Sequence, residues 1–486
     1  MTRRTLRAEW VIGYRDGSHR VLRNGVVVIE DDRIAYVGPD DPDGPGGIAD
    51  SEPPAGATID YGPGSIIAPG MISTHSHMQE GPLDKSMSED ATYRQFYFTN
   101  LIEVLMNKGA AMDREGELAC ARLSAAEYLR TGCTTIVQTG SDSLDVIGAI
   151  RPSGLRAYLG DGFRSGRWFT PDGNRVDYEW DEAAGLVGLE RALDTADAIR
   201  ALQDPLYLPI LAPSQVDTCT EELLRDTAGA AEERDLPLTL HVAQGLWEFN
   251  EMVSRHGRTP IEWLADIGLL SPRMLLGHAV YVTGNSWVNY HGDDLGLIAE
   301  SGATVTHNAW TFAREGVVTE SFARYLDAGV RMTLGTDTTT QSMIESLRWT
   351  AVLGKVADRR ADTNTAAQVF DAATVAAADY LGRPDLGRIE PGAQADLVVW
   401  GGERLFTTPV RDPLRVIVYY AQAEDVRDVY VAGRRVVEDS RVLGIDVEAD
   451  ARSVQAAAER CWGRWPEVDR LGRRIEDALP ETYPRW

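Results

Sequence analysis

Residues 66–80, IIAPGMISTHSHMQE, decide how the rest of the chain is interpreted. Two short apolar steps surround a Pro69–Gly70 break, and the second step ends at His75 and His77. In an extended strand, residues i and i+2 point to the same side, so both imidazoles face one direction. Imidazole nitrogens are good ligands for zinc, iron and cobalt ions. The stretch predicts a strand with two metal ligands, although such a pair also occurs by chance and needs support elsewhere.

Further apolar runs follow this stretch, and segments with helical periodicity separate them. Strands that are buried on both faces of a parallel sheet have such near-continuous apolar runs. Eight strand–helix units indicate an α/β chain folded as a (β/α)8 TIM barrel over residues 66–386. The predicted strands are residues 65–77, 134–140, 156–162, 206–213, 237–244, 274–280, 303–309 and 331–337.

Both ends of the chain have a different pattern, in which short apolar runs alternate with glycine turns. Residues 9–37, 387–400 and 427–439 are predicted to form strands and hairpins. We expect residues 1–65 and 387–486 to build a small composite β-sandwich domain with a C-terminal tail. The periodicity of residues 447–465 allows a helix in that tail.

Charge and composition exclude several classes of function. The 486 residues carry 74 acidic and 48 basic side chains, a formal net charge of −26 that repels phosphate backbones, so no nucleic-acid partner is expected. No run reaches the ~18 apolar residues of a membrane helix, and the N-terminus has no secretory pattern. The four cysteines show no paired spacing and indicate reduced thiols in a cytoplasmic protein.

The predicted strands carry further polar residues at their C-terminal ends, where parallel barrels place their active sites. Five of the eight histidines, together with one aspartate, fall at such ends. A single buried histidine is more often a structural group, but five on one face indicate a metal site. These residues are His75, His77, His241, His278, His307 and Asp337.

Several motifs resemble the metal-dependent amidohydrolase superfamily, in the branch of cytosine deaminases and triazine hydrolases. They are PGMISTHSH, LTLHVAQ, LLGHAV, THNAW and LGTD, followed by GRIEPGAQADLVVW, and the resemblance covers roughly residues 9–440. It implies a (β/α)8 barrel with a composite β-sandwich and an enzyme, expected to be a homo-oligomer, that acts on a small molecule. The metal ligands it implies are His75, His77, His241 and Asp337.

The resemblance also implies catalytic roles for Asp337 and His278. Three neutral imidazoles and one carboxylate leave a metal centre positive, and Asp337 can move a proton as general base and then acid. His278 is expected to contact the water or the developing oxyanion. No lysine occurs between Lys108 and Lys355 to bridge two metals from strand four. We expect one divalent ion per chain, zinc first, with iron, cobalt or manganese as alternatives.

The reaction predicted from sequence depends on Gln244. Heterocycle deaminases of this branch usually have His-x-x-Glu after strand five, whereas this chain has His241-Val-Ala-Gln244. Glutamine cannot shuttle a proton. We therefore expect hydrolysis of a C–N bond of an amide, urea or carbamate in a hydrophobic or aromatic molecule, as in phenylurea or molinate hydrolases. The alternative is an aminohydrolase or chlorohydrolase that acts on a purine, pyrimidine or triazine.

Loop residues on the same face are candidates for substrate binding. The substrate-binding residues we expect are Gln244, His307, Asn308 and Trp310. Aromatic side chains of two long loops are expected to add an apolar wall; they are Tyr93, Phe96, Tyr97, Phe98, Trp168 and Phe169, with Phe312 beside Trp310. Such residues equally often pack loops. A non-catalytic barrel without metal is a further alternative, although the four ligand positions are filled.

Overall fold

The computed structural model describes residues 3–39, 58–87, 89–90, 102 and 104–486. Its strands, in chain order, are β1 (Arg3–Arg15), β2 (Ser18–Glu30), β3 (Arg33–Pro39), β4 (Thr58–Asp60), β5 (Ser65–Pro69), β6 (Met71–Ser76), β7 (Cys133–Gly140), β8 (Arg156–Phe163), β9 (Gly166–Phe169), β10 (Asp177–Trp180), β11 (Tyr207–Pro209), β12 (Ala212–Pro213), β13 (Leu238–Val242), β14 (Met274–His278), β15 (Thr304–His307), β16 (Arg331–Leu334), β17 (Leu397–Gly401), β18 (Val426–Val431), β19 (Arg434–Glu438) and β20 (Arg441–Val442).

Helices fill most of the intervals between these strands. They are α1 (Met106–Ala111), α2 (Arg114–Arg130), α3 (Ser143–Ile150), α4 (Glu182–Ala201), α5 (Glu221–Glu233), α6 (Leu246–His256), α7 (Pro260–Asp266), α8 (Asp294–Ser301), α9 (Ala309–Ala313), α10 (Phe322–Asp327), α11 (Met343–Asp358), α12 (Ala366–Ala372), α13 (Val375–Tyr380), α14 (Pro413–Tyr419), α15 (Val447–Val468) and α16 (Ile475–Ala478). Within the described residues, no helix combines the length and apolar character needed to cross a membrane.

Two parallel sheets occupy the middle of the chain. One has the order β11-β8-β7-β6, with β12 also paired to β8, and the other has the order β13-β14-β15-β16. Isolated parallel bridges join the two sheets at both edges: Ser76 pairs with Asp337, and Leu211 pairs with Leu238. The residues of β14 and β15 are all buried, which explains why these strands have continuous apolar runs.

A nine-stranded sheet combines the two ends of the chain. Its order is β20-β19-β18-β17-β5-β1-β2-β3, and β4 also pairs with β1. The predicted hairpins at both ends are therefore present and belong to one sheet. The predicted C-terminal helix is also present as α15, which packs through apolar residues against α2 and places Arg122 2.6 Å from Asp450.

The first predicted barrel strand divides between the two kinds of sheet. Residues 65–69 form β5 and pair with β1 and β17 in the nine-stranded sheet, whereas β6 pairs with β7. Assigning residues 66–69 to the barrel was therefore wrong. The change of sheet occurs at Gly70, where a Cβ atom would collide with the side chain of Thr134. Because glycine has no Cβ, the backbone can pass this close to β7.

The fourth predicted strand is also interrupted. Residues 206–213 contain two short pieces, β11 and β12, that pair with successive parts of β8. Two prolines lie in this segment, and each lacks the N–H that a continuous ladder needs, which accounts for the short pieces. Among the segments with helical periodicity, residues 114–132, 221–235 and 259–268 contain α2, α5 and α7.

Candidate active site

The histidines of β6 lie beside Asp337, which follows β16. The backbone N–H of His77 donates to the carbonyl of Asp337 at 2.9 Å, and the N–H of Asp337 donates to the carbonyl of His75 at 3.1 Å. These bonds hold the three side chains together. Nε2 of His77 lies 3.4 Å from Oδ1 of Asp337, and Nε2 of His75 lies 3.8 Å from the same oxygen.

His241 completes the group from the end of β13. Its Nε2 lies 3.3 Å from Nε2 of His77. Its Nδ1 lies 2.7 Å from the carbonyl oxygen of Ser214, and Nδ1 of His77 lies 3.1 Å from the carbonyl oxygen of Thr139. A carbonyl can only accept, so both rings donate from Nδ1 and present the lone pair of Nε2 to each other. Metal-binding histidines are commonly fixed in this way.

These donor atoms fit a divalent metal ion. A tetrahedral ion with bonds of about 2.1 Å separates neighbouring ligand atoms by about 3.4 Å, and the separations here are 3.3, 3.4 and 3.8 Å. Both ring nitrogens of His75 are buried, and neither has a hydrogen-bond partner in the structure. Such a nitrogen is costly to bury unless a ligand occupies it.

Burial keeps the imidazoles in the neutral form that binds metals. It lowers the pKa of His241 to about 3, and the imidazole of His77 adds to this shift. Burial, followed by the neighbouring imidazoles, holds the pKa of His75 well below its ordinary value. Burial raises the pKa of Asp337, and the imidazole of His77 opposes that rise. The set fits zinc, because three neutral nitrogens and one carboxylate are typical zinc ligands.

His278 lies on the other side of Asp337, at the end of β14. Its Nε2 is 3.8 Å from Oδ2 of Asp337, and its ring packs edge-on against Phe312 with centroids 4.7 Å apart. The amide nitrogen of Asn308 donates to Nδ1 of His278 at 2.6 Å. This bond leaves the proton of the neutral ring on Nε2. His278 therefore presents an N–H where His77 and His241 present lone pairs.

The cavity above this group has a volume of about 190 Å³. His77, His241, His278 and Asp337 lie in its wall, together with Gln244. The remaining lining residues are Glu80, Leu105, Met106, Lys108, Trp168, Gln215, Gly245, Leu246, Trp247, Tyr281, Thr311, Phe312, Glu315, Val317 and Thr338. Aromatic and aliphatic side chains dominate, as is typical of sites for small organic molecules.

The other predicted substrate-binding residues lie in different surroundings. His307 is buried outside the lining of this cavity, with Nδ1 3.0 Å from the hydroxyl of Thr319, and Asn308 contacts His278 instead of the cavity. Trp310 packs against Trp349 with ring centroids 5.3 Å apart and does not line the cavity. A role of these residues in substrate binding stays a prediction.

Aromatic side chains of the long loops are divided between described and undescribed parts of the chain. Trp168 lines the cavity, as expected, and lies edge-on to Trp247. Tyr93, Phe96, Tyr97 and Phe98 lie outside the described residues. Sequence reasoning missed Trp247, Tyr281 and Gln215. Each lies within three residues of the end of a predicted strand, and this position was the available signal.

A buried ion pair in the cavity wall was also missed. Lys108, on α1, contacts the carboxylate of Asp84 and lies 3.3 Å from Oε2 of Glu80. The chain has only three lysines, so a lysine close in sequence to the predicted metal ligands could have been noticed. The four cysteines are buried and free, as expected.

The parallel sheets and the histidine–aspartate group are those of a metal-dependent hydrolase. The chain belongs to the amidohydrolase family, whose model matches residues 66–436. It is therefore a hydrolase that acts on carbon–nitrogen bonds, and the resemblance noted in its motifs is confirmed.

Named relatives agree with this assignment. The chain is 30% identical over 417 residues, 85% of its length and 90% of the relative, to 5-methylthioadenosine/S-adenosylhomocysteine deaminase of Halobacterium salinarum. It is 28% identical over 450 residues, 91% of its length and 96% of the relative, to 5'-deoxyadenosine deaminase of Methanothermobacter thermautotrophicus. These names do not support the predicted amide, urea or carbamate substrate and agree better with the alternative, a deaminase.

Solved structures confirm the fold, a TIM barrel of the amidohydrolase type. An adenosine deaminase from Xanthomonas campestris with bound zinc covers 94% of this chain and 98% of its own at a TM-score of 0.80 and 23% identity. An atrazine chlorohydrolase variant from Arthrobacter aurescens, complexed with zinc and atraton, covers 94% of this chain and 100% of its own at a TM-score of 0.78 and 24% identity.

Proposed function

We propose that this protein is a metal-dependent aminohydrolase that removes an exocyclic amino group from an N-heterocycle, with adenine nucleosides as the first substrate class to test. The observation that carries the proposal is the convergence of His75, His77, His241 and Asp337 beneath one largely apolar cavity. The names of the relatives favour a nucleoside as substrate. The chain would act as a homo-oligomer on this small molecule, in the cytoplasm.

The architecture supports this function. We propose that the two parallel sheets, bridged at both edges, close into one (β/α)8 barrel. Residues 1–65 and 387–486 would form the composite β-sandwich domain. Residues 66–69 would join it, because β5 pairs with β1 and β17 outside the barrel. This arrangement places the C-terminal ends of the barrel strands around the cavity, where such enzymes bind their substrates.

The metal site would hold a single ion. His75, His77, His241 and Asp337 would bind it, and when bound it would supply a positive charge that makes water more acidic and stabilises negative charge. Lys108, the lysine in the cavity wall, contacts Asp84 and Glu80, which argues against a role as a bridge between two metals.

The remaining steps belong to side chains of this chain. Asp337 would accept the proton of the attacking water at a carboxylate oxygen and return it to the departing amino group. His278 would donate from Nε2 to the oxygen that joins the ring, because Asn308 fixes its tautomer. Gln244 would donate from Nε2, which is buried and has no partner in the structure, to a ring nitrogen. The aromatic wall would exclude bulk water.

A second candidate, hydrolysis of an amide, urea or carbamate, is favoured by one observation. Gln244 occupies the position where heterocycle deaminases usually carry a proton-transferring glutamate, and glutamine cannot transfer a proton. In an amide-like substrate, Asp337 alone would move the protons.

A substrate panel separates the two candidates. The metal-loaded protein would be incubated with adenosine, 5'-methylthioadenosine and S-adenosylhomocysteine, with aminated pyrimidines and triazines, and with aryl amides, ureas and carbamates. We expect ammonia to be released from an aminated heterocycle and no larger amine from the other compounds. Release of aryl or alkyl amines alone would reject the deaminase and support the second candidate.

A further inference from the structure

One carboxylate in the cavity wall has no role in the reaction as described above. Glu80 lies three residues after His77 and lines the cavity, and its side chain is 39% exposed. Its Oε2 lies 3.3 Å from the ammonium of Lys108, which also contacts Asp84. Lys108 and Asp84 are 1% and 0% exposed, so this inner pair is almost completely removed from water.

The charges of this group do not cancel. Asp84 and Lys108 neutralise each other inside the protein, and Glu80 leaves one negative charge at the cavity surface. Burial alone would raise the pKa of Glu80, but the ammonium of Lys108 brings it below its ordinary value. An ionised carboxylate only accepts hydrogen bonds, so Glu80 is suited to bind a donor and unsuited to give a proton.

The side chains around Glu80 indicate what kind of molecule could carry this hydrogen-bond donor. Leu105 and Met106 line the cavity with it, and Trp168, Trp247 and Phe312 supply aromatic surface. In the same cavity the buried Nε2 of Gln244 has no partner in the structure, so a second polar group there also awaits a ligand. The site therefore fits a molecule with an apolar, aromatic body and a separate hydrogen-bond donor.

The charge next to Glu80 favours one kind of substituent. Lys108 is shared with Asp84, so the carboxylate of Glu80 leaves local negative charge in the cavity wall, apart from the proposed metal ligands. Beside Glu80, a neutral or cationic donor is therefore favoured over an anionic group.

We propose that Glu80 is a specificity-determining residue that accepts hydrogen bonds from hydroxyl or ammonium groups of the substrate, and that Lys108 is the positioning residue that holds it. This inference rests on the proposed aminohydrolase function and narrows its substrate class. The substrate is an aminated heterocycle with a hydroxyl-bearing or amine-bearing substituent.

The test compares Glu80→Gln with wild type on a matched series of ligands. Adenosine carries sugar hydroxyls, and 5'-amino-5'-deoxyadenosine has an ammonium in place of the 5'-hydroxyl. 2',3'-Dideoxyadenosine lacks the vicinal hydroxyls, and 9-ethyladenine has no donor in its N9 substituent. Glu222→Gln on α5 is the control, because Glu222 is exposed and lies outside the cavity. KM, kcat and the melting temperature would be measured for each protein, together with its metal content.

We expect Glu80→Gln to raise KM by about 10- to 100-fold for the ligand that carries the recognised donor, the range for a hydrogen bond to a charged group. For 9-ethyladenine, KM of Glu80→Gln should differ from that of wild type by less than about twofold. The variant should keep the kcat of wild type. If Glu80→Gln does not raise KM for 2',3'-dideoxyadenosine, the 2'- and 3'-hydroxyls are the donors that Glu80 recognises. If it raises KM most for the 5'-amino compound, the ammonium is the recognised donor. Glu222→Gln should match wild type throughout.

Two results would overturn the inference. An equal rise in KM for all four ligands would mean that Glu80 only supports the structure, and a hundredfold fall in kcat with unchanged KM would place Glu80 in the chemistry. Calorimetric binding of inosine and 9-ethylhypoxanthine gives a readout that needs no turnover. Suppose that wild type binds inosine more tightly than Glu80→Gln does, but releases no ammonia from adenosine or the other aminated ligands. The proposed function then fails, and the inference about Glu80 survives. If neither ligand binds, this inference is rejected.

Discussion

Replacing Gln244 with alanine separates hydrogen bonding from proton transfer at the position that divides the two candidate reactions. The loop does not depend on the side chain, because the backbone N–H of Gln244 donates to Oε2 of buried Glu248 at 3.0 Å and the N–H of Ala243 donates to the same carboxylate. The variant should therefore keep its fold and its metal. It loses only the bond from Nε2 of Gln244 to the substrate.

The size of the effect follows from that single bond. A hydrogen bond between neutral groups contributes ~0.5–1.5 kcal/mol, which corresponds to about a 2- to 13-fold loss in kcat/KM. A general acid would contribute roughly 10²- to 10⁴-fold. The assay is ammonia release on the best heterocyclic substrate, with metal content measured in the same preparation. Gln244→Glu, which places an ionised acceptor where a donor is needed, should not improve on wild type at neutral pH.

A loss of more than about a thousandfold in Gln244→Ala, with metal retained, would refute this reasoning. It would mean that Gln244 takes part in the chemistry and that Asp337 does not move the protons alone. A gain in activity for Gln244→Glu would show that proton delivery limits the wild-type reaction.

Two other predictions concern the histidines. His241→Ala should lose metal and activity together, whereas His278→Ala should keep the metal, as measured by elemental analysis, and turn over poorly; equal metal loss in both would reject the division of roles. Burial lowers the pKa of His307 to about 4. Between about pH 6.5 and 4 the unfolded chain therefore binds more protons at this residue than the folded protein does. The free energy of unfolding should decrease by about 1.4 kcal/mol for each pH unit as the pH falls through that window. Urea unfolding of the apo-protein at pH 6.5 and 5 should show a smaller decrease for His307→Gln than for wild type, and equal decreases would contradict this assignment.

The metal ligands could be predicted from the sequence because their chemistry is local. His75 and His77 are two residues apart on one strand, and the other ligands end later strands of the same periodic pattern. In a parallel barrel those ends meet on one face, so identity and position in the repeat were sufficient. The structure brings His75, His77 and His241 together as possible ligands of one ion, and Oδ1 of Asp337 lies 3.8 Å from His75 and 3.4 Å from His77.

The cavity wall could not be predicted in the same way. Asp84 and Lys108 are 24 residues apart, and their pairing depends on how α1 packs against the turn after β6. Trp310 and Phe312 are two residues apart, yet only Phe312 faces the cavity, because α9 points them in different directions. Such choices depend on tertiary packing and leave no periodic signal in the sequence.

The sheet boundary was missed for a similar reason. Residues 65–69 and 71–76 are both apolar and buried, so their composition does not reveal that they belong to different sheets. Gly70 was the available signal. A glycine between two buried apolar steps indicates a close backbone approach, which here occurs beside Thr134.

Titration of the apo-protein with zinc tests the central claim most directly. The account predicts that chelation abolishes ammonia release, and that activity returns linearly with added zinc and reaches its plateau at one equivalent per chain. A plateau at two equivalents, or activity that survives complete removal of metal, would contradict a single catalytic ion held by His75, His77, His241 and Asp337.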